Sequence, residues 1–287
     1  MAWRMRILVT GAAGLIGHGV AERLFDEHEV VGLDMVAGPH VALAGDCFDV
    51  AEWRHRLGRI DAVVHTAALH APHIGRRSEE EFRRTNVEAT ERLLDFASGA
   101  AASHFVLTST TSLYGHALQA ADRAVWVDER LEPRPRDIYD ETKLEAEQLV
   151  ASAGNAMVVT SLRMSRCFPE RADVMAWYRL YRGIDRRDVA DAHALALGRQ
   201  GKPATYVISA ATPFERSDCE ELLTDAAAVT ERRVPGLMDR MIAKGWAPPK
   251  SVDRIYDCSL AASELGFAPR HGIESCIAGD WNPLPLR

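Results

Sequence analysis

Thr10-Gly11-Ala12-Ala13-Gly14-Leu15-Ile16-Gly17 follows an apolar run at residues 5–10 and opens a helical pattern. Strand, glycine turn and helix in that order make the context that a dinucleotide pyrophosphate requires. Gly11 permits the tight turn and Gly14 lets the backbone approach the diphosphate. Gly17 lets the helix lie close to the sheet, and the start of that helix, at Leu15 and Ile16, favours negative charge. Asp34 ends the second apolar run, 20 residues after Gly14. A carboxylate there accepts hydrogen bonds from an adenosine ribose and repels a 2′-phosphate. Met35-Val36-Ala37 offers no arginine to receive such a phosphate. NAD is therefore expected over NADP.

Working outward, short apolar runs at 5–10, 30–34, 40–45, 61–66, 105–109 and 157–163 alternate with helical patterns at 15–26, 50–56, 79–98 and 139–151. Nearly continuous apolar strands separated by helices predict an α/β chain, a Rossmann-type doubly wound parallel sheet. The second half adds a helix at 186–200 and a strand at 204–209, then mostly helix and loop, with helices near 218–229, 235–243 and 259–265. Pro235 suits the first position of its helix. The expected organisation is a dinucleotide-binding domain over 1–165, rejoined by 186–210, with a small, mostly helical substrate lobe from 166–185 and 211–287.

Composition bounds the function. The chain has 287 residues, 47% hydrophobic and 26% charged, with a net charge of −7. It is long enough to bury a sizeable core without staples. An acidic chain without a basic block is not expected to bind nucleic acid. No apolar run is long enough to span a bilayer, and the first one is broken by glycines, so neither membrane insertion nor a signal peptide is expected. Five widely spaced cysteines without a Cys-x-x-Cys suit a reducing cytoplasm. No metal is expected: His70 and His73 lie three apart with no third ligand near them in sequence.

Tyr139-Asp140-Glu141-Thr142-Lys143 begins a helix just after a Pro-rich loop. Positions i and i+4 share a face, and an ammonium beside a phenol favours the phenolate, as acid/base work requires. Alone, this spacing is common by chance. It gains meaning from Thr108-Ser109-Thr110-Thr111-Ser112-Leu113-Tyr114-Gly115, a hydroxyl cluster at the predicted C-terminal end of a strand, and from the order of glycine loop, Asp34, hydroxyl cluster and Tyr-x-x-x-Lys. With Gly45-Asp46, His65-Thr66-Ala67-Ala68, Thr85-Asn86-Val87, Arg187-Asp188-Val189-Ala190, Tyr256-Asp257 and Leu265-Gly266, the chain resembles the extended short-chain dehydrogenases/reductases, the NAD-dependent epimerase/dehydratase family. The resemblance implies Tyr139 as general acid/base, Lys143 as its partner and a ribose ligand, and Thr110 in the catalytic Ser/Thr position. It implies that Asp46 meets the adenine, that Cys47 binds the cofactor, that Ala67 and Ala68 line it, and that Asn86 lies near it. It also implies a homodimer through the helices at 79–98 and 139–151.

The departures from the family bear on substrate. The dehydratase branch carries an Asp-Glu pair after the catalytic Thr. Thr111-Ser112 stands here, which argues against 4,6-dehydration. Only 18 residues lie between Pro169 and Asp188, so a reduced lobe and a smaller substrate are expected. Cys167-Phe168-Pro169-Glu170 looks similar to the uronate dehydrogenase branch. Thr110, Thr111, His70, Arg166 and Arg254 are the candidate substrate contacts. Arg166 borders the site in a basic segment that also holds Arg163, Arg171, Arg179, Arg182, Arg186 and Arg187, for which ion pairing with Glu170, Asp173 and Asp185 is the plainer reading. The expected function is NAD-dependent hydride transfer at a secondary hydroxyl or keto carbon of a sugar or sugar-like substrate. The alternatives are a nucleotide-sugar 4-epimerase and, from another class, a non-catalytic NAD-sensing regulator.

Overall fold

Ile7 and Val9 of the first strand pack into one hydrophobic cluster and Leu8 into another, as the alternation of side chains along a strand dictates when both faces of a sheet are covered. The structure is a computed structural model describing residues 4–280. In chain order its elements begin β1 (Arg6–Thr10), α1 (Leu15–Phe25), β2 (Glu29–Asp34), β3 (Val41–Ala44), α2 (Val50–Trp53), β4 (Ala62–His65), α3 (Glu79–Arg83), α4 (Ala89–Gly99) and β5 (His104–Thr110). They continue with β6 (Val125–Val127), α5 (Ile138–Ser152), β7 (Val158–Met164), α6 (Ala172–Tyr181), α7 (Arg186–Leu197), β8 (Ala204–Ile208), α8 (Cys219–Thr224), α9 (Ala226–Arg233), α10 (Leu237–Ala243), β9 (Arg254–Tyr256), α11 (Ser259–Leu265) and α12 (Ile273–Ala278).

Among the described residues a seven-stranded sheet runs in the order β3-β2-β1-β4-β5-β7-β8, and each pairing is parallel. This is the doubly wound sheet expected from the alternating pattern. The order reverses between β1 and β4, so their C-terminal ends diverge into a crevice where ligands bind in this architecture. Helices α1, α7 and α11 cover one face and α4 and α5 the other. A third cluster, including Trp177, Leu180, Leu222, Val229 and Ile255, joins α6 to the C-terminal helices.

The structure corrects several boundaries. The helix expected over 79–98 contains a π-helical turn, Arg84–Glu88, between α3 and α4. The helix expected over 218–229 breaks at Asp225, whose side chain caps α9 by accepting from the Ala228 N–H at 3.0 Å. Pro235 does not open its helix. Gly236, left-handed at φ 78°, turns the chain first, and Glu231 accepts from the Gly236 N–H at 2.7 Å. The parallel pair β6–β9 and the helices α6 and α12 were not anticipated. The two strands are three residues long, too short for a period to show.

Candidate active site

Gly11 adopts φ 71°, and a Cβ there would lie 2.7 Å from the Ala67 nitrogen. A Cβ on Gly17 would fall 2.1 Å from the Gly11 carbonyl oxygen, so glycine at both positions lets α1 begin directly beneath the turn. The N-terminus of α1 has no side-chain cap and no acid in its first turn. Its free N–H groups fit the diphosphate of a dinucleotide. Asp34 accepts from the Ala13 and Val36 N–H groups at 3.0 and 2.9 Å. It thereby ties the turn to the end of β2 and keeps further lone pairs for a ribose. Asp46 accepts from the Phe48 N–H at 2.9 Å and pairs with Arg84 at 2.8 Å, whose guanidinium lies 3.9 Å over the Phe48 ring.

Behind the turn, the Thr90 hydroxyl donates to the Asn86 carbonyl. His65 therefore donates from Nε2 to Thr90 at 3.1 Å, and its Nδ1 accepts from the Thr10 hydroxyl at 2.7 Å. Burial pushes His65 down to about 3, so the ring is neutral and serves the frame, as its place in a buried strand suggests. Asn86 does not line the cavity. Its side chain is consumed by the backbone N–H and carbonyl of Leu69, at 2.8 and 2.9 Å, and by Thr142. It braces the loop after β4 from the π-turn, a place where irregular helix often marks a functional site.

The hydroxyl cluster does lie at the C-terminal end of β5. Gly115 takes φ 52°, and a Cβ there would meet the Arg134 carbonyl at 2.0 Å, so glycine lets the Pro-rich loop pass close by and deliver α5. Asp137 caps α5 by accepting from the Asp140 N–H at 3.0 Å. Tyr139 then faces the cavity that Thr110 also lines. Lys143 is 3% exposed and donates to the Thr108 carbonyl at 2.8 Å. Desolvation lowers it to about 8. The expectation that Lys143 pulls the Tyr139 phenol below its free value is not met here. Desolvation pushes Tyr139 up to about 12, Asp140 and Asp137 add to the rise, and the Thr110 hydrogen bond opposes it.

One turn beyond Lys143 on the same face stands Glu147, which keeps the ammonium charge from falling further. Arg163 clasps it with Nε at 3.0 and 3.1 Å and Nη2 at 2.7 Å. The Ser109 hydroxyl donates to Glu147 at 2.5 Å and Arg163 donates to the Tyr114 hydroxyl at 3.1 Å. This buried network welds α5 to β5 and β7.

A cavity of about 1150 Å³ joins the glycine turn to this machinery. Gly11, Gly14, Leu15, Ile16, Gly17, Asp34, Asp46, Cys47, Ala67 and Ala68 line it, as do Thr110, Thr111, Tyr139, Lys143, His70, Arg166 and Arg254. Of the candidates named from sequence, only Asn86 stands outside that lining. Arg166 pairs with Glu170 at 2.7 Å and lies over Phe168. Arg254 pairs with Asp253 at 2.5 Å. His70 packs against His73, ring centroids 4.4 Å apart. The other arginines of the basic segment are ion-paired, Arg179 and Arg187 with Asp185, Arg171 with Asp173, and Arg186 with Glu22. Burial pushes the Cys47 and Cys167 thiols up to about 12, which keeps both protonated at neutral pH.

A model of the "NAD dependent epimerase/dehydratase family" matches residues 7–176. The chain belongs to this family. It is 30% identical to a dTDP-glucose 4,6-dehydratase of Streptomyces antibioticus, over 96% of this chain and 92% of that one. It is 26% identical to a UDP-glucose 4-epimerase of Streptococcus mutans, over 96% of both. Among solved structures it superposes on "MoeE5 in complex with UDP-glucuronic acid and NAD" with TM-score 0.68 and 26% identity, covering 95% of this chain and 96% of that one. A short-chain dehydrogenase/reductase superfamily protein of Agrobacterium tumefaciens with bound NAD shares the fold, with TM-score 0.71 at 20% identity and coverage of 96% and 95%. The chain is thus an NAD-dependent enzyme of the extended short-chain dehydrogenase/reductase type.

Three cavity-lining cations, Arg77, Arg84 and Arg136, were not singled out from the sequence, while Arg182 of the basic segment lines the cavity and pairs with Asp253 at 4.0 Å. Arg136 lies three residues before Tyr139, a position no helical period marks. Asp34 meanwhile has acquired a second duty, since it holds the glycine turn. Asp34→Ala is expected to narrow the preference for NAD over NADP and also to weaken NAD about tenfold or more, because the charge-assisted hydrogen bond to the turn at Ala13 disappears together with the one to Val36. Calorimetric titration of both cofactors measures this; equal affinity for both in the wild type would refute the role.

Proposed function

We propose that the enzyme oxidises or reduces a secondary carbinol or keto carbon of a sugar or sugar-like substrate. The observation that carries the reading is a single cavity lined by the glycine turn, Asp34, Thr110, Tyr139 and Lys143. When bound, NAD supplies the hydride acceptor. Asp34 holds the ribose and the N-terminus of α1 holds the diphosphate. Thr110 orients the substrate oxygen, and Tyr139 takes or returns its proton. Lys143 holds the nicotinamide ribose, anchored by the Thr108 carbonyl.

Thr111 and Ser112 cannot act as the acid and base of water elimination, so the reaction differs from that of the similar dehydratases. Net dehydrogenation or reduction is the first reading, supported by the short 169–188 link. Epimerisation, with NAD reduced and reoxidised in one turnover, is the second, supported by the likeness to epimerases. The enzyme works in the cytoplasm, where its five free thiols are stable, and pairs as a homodimer through α3, α4 and α5. Incubation with NAD and a panel of hexoses, uronates and nucleotide-hexoses tests this. NADH should accumulate with an oxidised sugar. An epimer pair without net NADH would replace the first reading by the second, and so would tight saturable binding of UDP alone at the substrate site.

A further inference from the structure

The cavity lining changes character along its length. Its carboxylates, Asp34, Asp46 and Glu81, all come from the first 90 residues, on the glycine-turn side. From Thr108 to Tyr256 the described lining residues include Arg136, Lys143, Arg166, Arg182 and Arg254, and no carboxylate. A guanidinium has five N–H donors and no acceptor. Each guanidinium of this wall is ion-paired, Arg136 with Asp140, Arg166 with Glu170, and Arg182 and Arg254 with Asp253, and the N–H donors left over suit a ligand that accepts hydrogen bonds. Two further polar atoms on this wall, the Ser165 hydroxyl oxygen and the Arg254 Nε, are buried without a hydrogen-bond partner among the described residues. Ser165 itself is 3% exposed.

Arg136 stands where this wall meets the chemistry. Its Nε donates to Asp140 at 3.0 Å and its Nη2 to the Ser112 hydroxyl at 3.1 Å. Asp140 is fully buried and adjoins Tyr139, while Ser112 is two residues beyond Thr110. The guanidinium is thus braced from both catalytic segments. Its Nη1 makes no hydrogen bond among the described residues. Arg136 thus bonds to Ser112, one of the two residues that stand in sequence where the dehydratase branch carries its Asp-Glu pair.

Resting on the reading of a sugar substrate, we propose that Arg136 is a specificity-determining residue that grips a carboxylate borne by the sugar itself, beside the carbon that loses hydride. The substrate is a uronic acid, free or nucleotide-linked. A diphosphate bridging to a nucleotide would carry its charge away from the reacting carbon, whereas Arg136 is held against the residues that act on that carbon. A charge-assisted, bidentate contact of this kind sets the preference.

The test compares matched pairs by calorimetry on the NAD-saturated protein: D-glucuronate against D-glucose, and UDP-glucuronic acid against UDP-glucose. In at least one pair the acid should bind about 10- to 100-fold more tightly than its neutral partner. Arg136→Gln should erase most of that ratio, and Arg136→Lys should keep part of it. A preference in the free pair alone identifies a free uronate, and one in the nucleotide pair alone a nucleotide-linked one. Equal or tighter binding of the neutral members by the wild-type protein overturns the proposal, and so does a preference that survives Arg136→Gln. Both outcomes leave the sugar reading standing. That reading fails instead if none of the four binds, which would remove the carboxylate proposal with it.

Discussion

Tyr139→Phe is expected to lower turnover about 10²–10⁴-fold, the usual contribution of a general acid or base, while NAD binding stays close to that of the wild type. The substitution deletes one hydroxyl and keeps the ring beside Thr110. Because burial holds the phenol high, up to about 12, Tyr139 is protonated at neutral pH and is ready to donate in the reductive direction. In the oxidative direction it must first lose its proton, so that rate should climb with pH, while the reductive rate should fall as the phenol ionises. Lys143→Ala should cost rate and NAD affinity together, whereas Thr110→Ala should cost rate alone. Steady-state kinetics with separate cofactor titrations resolve these cases. Wild-type turnover in Tyr139→Phe would falsify the mechanism and leave only the fold.

The second large effect concerns stability. Glu147 and Arg163 are almost fully buried, with side chains 6% and 9% exposed. Glu147→Gln leaves the Arg163 charge in the interior with no counter-charge. Breaking one side of a buried pair costs about 3–5 kcal/mol, which for a protein of this size lowers the melting temperature by roughly 10 °C. Replacing both partners by apolar residues, Glu147→Leu with Arg163→Met, should return much of that loss, because no charge is then stranded. Since Glu147 also supports the Lys143 ammonium, the single variant should weaken NAD as well. Thermal denaturation of both variants measures the first effect and cofactor titration the second. A Glu147→Gln protein as stable as the wild type would show that the pair contributes little.

What was legible from the sequence was local or periodic. The turn Thr10–Gly17 announces itself because glycine alone tolerates the positive φ at Gly11 and the contact under Gly17, and those needs are set within eight residues. Asp34 is readable because it ends a strand. Tyr139 and Lys143 are readable because the helical period joins i to i+4. The parallel sheet followed from apolar runs that alternate with helices, a pattern that leaves little choice of layers. The tertiary structure decided what those residues touch. Lys143 finds the Thr108 carbonyl 35 residues back, Glu147 finds Arg163 on β7, and Arg136 finds Ser112 across 24 residues. Asn86, which the resemblance places near the cofactor, spends its amide on Thr142 and on the cavity-lining Leu69, a pairing the sequence does not announce. Such pairings have no period in the sequence. They depend on which strand ends meet at the crevice and on how burial weighs against charge, which is why the acidity of Tyr139 and the cationic wall became visible only once the chain was folded.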